Sequence, residues 1–196
     1  MRVQPIEQLS GFFHERLRAA IERRRLQIGG TLQIYVVDLL ERYAATEPDR
    51  AMRPLVEHLS EALEAPTALD RLRRYREMGD SALCVCGLFH EHLTARGISR
   101  RYVVTMGGHA YHHAGRLAGG PGAGTRGTAG VFDELAQRFD EIARVLDDVR
   151  EETALRTPQD VVRLYERWRR THSPVLAERL RRAGVYPQAR RRGLLH

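Results

Sequence analysis

An all-α fold is predicted by three features of the chain. Apolar residues recur three and four apart in segment after segment, the spacing of one buried helix face. Hydroxyl residues, twice followed by proline, stand where such segments begin, and glycines stand where several end. Only Tyr102-Val103-Val104-Thr105, ahead of Gly107-Gly108, offers a rival strand. The expectation is a single domain over residues 1–185, a bundle of about seven or eight helices with a helical hairpin, 67–118, at its centre.

Each element has its own grounds. Leu9, Phe12, Phe13, Leu17 and Ile21 predict a first helix over about 6–27, stopped by Gly29-Gly30. Leu32, Tyr35, Val36, Leu39, Leu40 and Tyr43 line one face of a second. A short third runs from Pro54 through Leu63, with proline at its start. Thr67 and Asp70 make a capping pair for a long helix towards Leu93. Ser99 caps the next, to about Leu117, where Tyr102, Met106, Ala110, His113 and Leu117 keep helical spacing and outweigh the strand signal.

Residues 119–130 are glycine-rich and read as a mobile loop, because glycine at that density keeps too much chain entropy to order alone. Gly122 and Gly127 have the separation of a phosphate-binding loop, but Thr128 stands where that loop needs lysine. The phosphate cradle is rejected. Phe132, Leu135, Phe139, Ile142, Leu146 and Val149 then mark one helix. Thr157-Pro158 opens the next, with Val161, Leu164, Tyr165 and Trp168 inside. Ser173-Pro174 opens the last, which stops at Gly184 and leaves 186–196 as a basic tail.

Composition limits the function classes. The 196 residues are 42% apolar and 29% charged, enough for a real core and unlike a disordered chain. Two cysteines make no disulfide framework, and no signal sequence or membrane span is evident, so a soluble cytoplasmic protein is expected. The net charge is +7, and all 32 basic side chains are arginine. The excess lies after residue 156, where a helix face and the Arg190-Arg191-Arg192 tail carry it. Arg181, Arg182, Arg190, Arg191 and Arg192 are therefore the candidate nucleic-acid contacts, although no aromatic platform interleaves them.

The chemically dense stretch is 79–116, which holds both cysteines and five of the nine histidines. Cys84 and Cys86 point about 200° apart on a helix and cannot grip one ion. Cys86 and His90 share a face, as do His109 and His113. If the hairpin turns near Gly97, Cys86 lies level with His109, and the four form a candidate Cys-His₃ site for zinc or another borderline metal; haem bound by one of these imidazoles is a weaker variant, without the two-cysteine, histidine attachment motif. A packing explanation competes. From Gly79 to Gly87 the side chains are mostly small, so helices approach closely there, and Gly107-Gly108 is the natural facing surface. Asp80 enters that buried stretch and needs partners, for which Arg100, Arg101 or Tyr111 are in range.

Catalytic motifs are not completed. No serine sits in a Gly-x-Ser-x-Gly elbow, and Glu57-His58 and Glu91-His92 are adjacent pairs rather than Glu-x-x-His motifs. Gly79-Asp80, Gly87-Leu88-Phe89, Met106-Gly107-Gly108 with Ala110-Tyr111, and Arg163 to Trp168 resemble a family of uncharacterised bacterial all-helical proteins of about this length. That resemblance implies no activity, and its pattern does not include the histidines. The expected function is a non-catalytic cytoplasmic interaction or scaffolding protein, without a cofactor, that self-associates into a homo-oligomer or binds a protein partner. Tyr35, Tyr43, Tyr165 and Trp168 are expected to extend its apolar face.

Overall fold

A computed structural model describes residues 5–44, 53–119, 126–152 and 158–187. Among the described residues there are ten helices and no strand. They are α1 (Pro5–Arg23), α2 (Gly30–Ala44), α3 (Leu55–Glu64), α4 (Ala68–Leu88), α5 (His90–Ala95), α6 (Arg100–Ala118), α7 (Arg126–Gln137), α8 (Phe139–Glu152), α9 (Pro158–Thr171) and α10 (Pro174–Arg182). None of them is long and apolar enough to cross a membrane.

The bundle is organised around α4. From Met78 to Leu88 every residue is buried, whichever way it points. That requires cover on all sides, and α2, α3, α6 and α8 supply it. The antiparallel α4–α6 pair is the expected central hairpin. Its axes come close because glycine stands where a side chain would collide. A Cβ at Gly79 would lie 2.7 Å from the Tyr111 ring, and one at Gly107 would lie 2.8 Å from Ala82 Cβ. Gly87 does the same towards α8, where a Cβ would meet Leu146 Cβ at 2.5 Å.

Helix ends deviate from the sequence pattern where long-range packing decides. The first helix stops at Arg23, four residues before the expected end, because Arg25 takes a left-handed φ of 53°. Arg25 N–H then donates to Glu22 O and Leu26 N–H to Ile21 O, a Schellman closure that turns Leu26 back onto the core. The long helix towards Leu93 is broken at Phe89, and α5 ends in a second such closure at Gly97 (φ 66°). The helix expected through Phe132 to Val149 is two helices that meet at Arg138. There Leu135 and Phe139 both stay buried, while Arg138 reaches the Gln27 carbonyl and Glu134 and Glu141.

The glycine-rich loop is shorter than 119–130. Residues 126–130 already belong to α7, whose Val131, Phe132 and Leu135 are buried and hold its first turn in place. Residues 120–125 lie outside the described residues. Of the expected caps, Thr67 accepts from the Asp70 amide at 3.0 Å. Ser99 and Ser173 occupy the cap positions but make no side-chain cap bond, and Thr157 lies outside the described residues.

Candidate functional site

Asp80 is buried to 1% exposure at the α2–α4–α6 junction. Burial pushes its carboxyl above the usual range, and the surrounding donors push back. Tyr35 and Tyr111 both donate to Oδ1, at 2.5 and 2.8 Å. Arg42 donates to Oδ2 at 3.1 Å, with Arg76 at 3.9 Å from the same oxygen. Of the partners expected from sequence, only Tyr111 is there. Arg100 pairs with Asp140 instead, and Arg101 is exposed. The tyrosines are in turn held strongly in the neutral form by burial and by the Asp80 charge. This network ties three helices around a carboxylate that is itself buried.

The expected Cys-His₃ set is not assembled. The break at Phe89 shortens the hairpin, so Tyr75 faces His113, Gly79 faces Tyr111 and Ala82 faces Gly107. In that register Cys86 falls level with Val103 rather than His109. Cys86 and His90 line one cleft of about 300 Å³ with Arg100, Arg144 and Asp147. His113 lines a different groove, and His109 is exposed. Among the described residues no three His, Cys, Asp or Glu side chains are grouped as a metal ion needs. The four-residue Cys-His₃ arrangement expected for zinc is therefore not formed among the described residues.

Both thiols are free and buried. Burial raises the Cys84 thiol well above its ordinary value and pushes Cys86 up to about 12. His90 Nδ1 lies 3.2 Å from Asp147 Oδ1, an oxygen also 3.2 Å from Arg150. A histidine backed by a carboxylate is thus present near Cys86, but the thiol beside it is held protonated.

A second depression lies where α3, α4 and α6 meet. It is a groove of about 370 Å³ lined by Leu63, Arg71, Tyr75, His113, Arg116 and Leu117. Leu63 is 62% exposed at its edge, and the His113 ring stacks on Tyr75 with centroids 4.9 Å apart. Arg71 reaches only the Ala65 carbonyl, at 3.4 Å. Neither Arg71 nor Arg116 meets a carboxylate among the described residues. Burial, then His112, Arg116 and His109, lower the affinity of His113 for a proton. Sequence reasoning missed this groove, because its residues come from three helices and form no motif.

The other expected sites are placed as follows. Arg181 and Arg182 are exposed on α10, and both pair with Glu178, at 2.9 and 3.4 Å. Arg190, Arg191 and Arg192 lie outside the described residues. The aromatics expected to extend an apolar face are packed inward instead. Tyr165 and Trp168 are buried in the core, and Tyr35 and Tyr43 are partly buried against it. Exposed apolar surface is mainly aliphatic, with Ile34, Val56, Leu63 and Val175 each more than 60% exposed. Comparison with protein-family models, with curated proteins and with solved structures found no match to this chain.

Proposed function

We propose that the chain is a non-catalytic, cytoplasmic interaction protein that seats a segment of another protein in the α3–α4–α6 groove. One observation carries this reading: a groove lined by Leu63 and Leu117, and by the His113 ring stacked on Tyr75, is flanked by Arg71 and Arg116, which meet no carboxylate among the described residues. The rest of the chemistry supports a binding role. Asp80 is buried and bonded to its partners, and both thiols are held protonated by burial. The cytoplasmic assignment draws support from the two unpaired cysteines, as expected in a reducing compartment.

The test is a photo-reactive side chain at position 63, introduced into the full chain in cells. A discrete protein adduct from position 63, with none from position 175 on α10, is expected. Absence of any adduct at 63 would remove the reading. A self-associating scaffold is the second reading, favoured by the stripe of Val56 and Leu63 along the outer face of α3. Light scattering across a concentration series separates the two.

A further inference from the structure

We infer that the segment seated in this groove is an acidic amphipathic one. Its apolar side chain would lie between Leu63, Leu117 and the His113 ring, and its carboxylates would lie on Arg71 and Arg116. This rests on the interaction reading above and names the chemistry of the partner.

Charge complementarity is the argument. Many arginines of this protein are neutralised internally: Arg24 with Asp148, Arg42 with Asp80, Arg53 with Glu57 and Glu61, Arg100 with Asp140, Arg138 with Glu134 and Glu141. Arg71 and Arg116, like Arg25, Arg101, Arg167, Arg169, Arg170 and Arg179, meet no carboxylate among the described residues, but these two flank a groove that also holds Leu63 and Leu117. α6 carries no acidic residue along its whole length, Arg100–Ala118. Its stripe of His109, His112, His113 and Arg116 continues the rim, and Arg71 closes it from α4. The charges that act on His113 are His112, Arg116 and His109, with Tyr75 and Arg71 facing from α4 and Leu63 from α3. Guanidinium groups with no carboxylate among the described residues favour carboxylates, which arginine holds in charge-assisted pairs.

The groove, about 370 Å³, is large enough for one or two side chains of a bound segment, and the second copy is an outcome of the test below. Nucleic acid fits less well. Only two fixed cations rim the groove, whereas nucleic-acid proteins neutralise many phosphates. Its one tyrosine is already covered by His113.

The experiment uses the full chain and fluorescence anisotropy. The probe is a labelled helical peptide with leucines three and four apart and glutamates between them. Its counterparts carry glutamine or lysine in place of glutamate. Saturable binding of the glutamate peptide is expected, about tenfold or more weaker with glutamine and absent with lysine. Arg116→Glu and Leu63→Asp, both at exposed positions, should each weaken it by about tenfold or more, and Arg181→Glu should leave it unchanged. Equal binding of all three peptides, lost in Leu63→Asp, overturns the acidic partner while the interaction reading stands. No saturable binding by any of them also overturns the inference. The interaction reading falls with it only if position 63 crosslinks to nothing. Binding of oligodeoxythymidylate to the same residues, or a dimer that Arg116→Glu dissociates, overturns it in favour of that occupant.

Discussion

Gly107 and Gly108 stand side by side in the middle of α6, and replacing each with alanine should move stability in opposite directions. The intrinsic term is the same for both. Alanine is favoured over glycine in a helix interior by about 0.8–1.0 kcal/mol. The surroundings differ. A Cβ at 108 has the Ala136 carbonyl as its nearest neighbour, at 3.5 Å, an ordinary contact. A Cβ at 107 would stand 2.8 Å from Ala82 Cβ and overlap the Phe139 ring. Ala82 Cβ is fixed to the backbone of α4, so relief requires the two helices to separate. Overpacking of that kind costs about 1–3 kcal/mol. Gly108→Ala should therefore gain up to about 1 kcal/mol, and Gly107→Ala should lose up to about 2 kcal/mol. The propensity term cancels between the variants, which leaves a difference of about 1–3 kcal/mol from helix contact alone. At about 2–4 °C per kcal/mol for a chain of this size, the two midpoints separate by roughly 2–12 °C. Urea and thermal unfolding followed by far-ultraviolet circular dichroism measure both. Equal stabilisation by the two alanines would show that α4 and α6 do not touch at Gly107.

Other outcomes follow from the same geometry. Asp80→Ala leaves the Tyr35 and Tyr111 hydroxyls without their acceptor, at about 1–3 kcal/mol for each, while Arg42 keeps Asp38; urea unfolding should show that loss, with Asp80→Asn much milder. Native protein should react with a thiol reagent far more slowly than free cysteine. For Cys86 a rise from 9.0 to about 12 lowers the thiolate fraction near neutrality by about a thousandfold. A fast-reacting thiol in the folded state would contradict the burial of both. Burial lowers the proton affinity of His58 and His113, so the folded chain binds fewer protons than the unfolded chain around and below pH 6.5. Their stabilising contribution is complete above the unfolded value and is lost as pH falls through the lower folded value. The thermal midpoint should fall from pH 7.5 to pH 5.5, and His58→Gln with His113→Gln should flatten that slope.

Helix identity was legible because it is written locally. The three-and-four spacing named the helical regions except the start of α7, which lies in the stretch expected to be loop, and Thr67 with Asp70 marked the start of α4. The breaks at Phe89 and Arg138 were not legible, because each answers to packing between distant segments. Arg138, for example, turns towards the Gln27 carbonyl. One such break separates the four residues expected to form a Cys-His₃ set. Six residues of α5 shift the hairpin register, so Cys86 and His109 are no longer level. The burial of Asp80 was readable from its small, apolar neighbours. Arg76, one helical turn away, was a readable partner that was overlooked, whereas Arg42 and Tyr35 lie on α2. The groove is assembled from α3, α4 and α6, and only the absence of acidic residues from α6 hinted at it.

The most direct measurement is a hydrogen-exchange footprint of the full chain with and without the glutamate–leucine peptide. Slowed exchange confined to the end of α3, the first turns of α4 and the last turns of α6, around Leu63, Tyr75 and His113, is expected. Protection on α10, or around the Cys86 cleft, would contradict it, as would a footprint unchanged by Arg116→Glu.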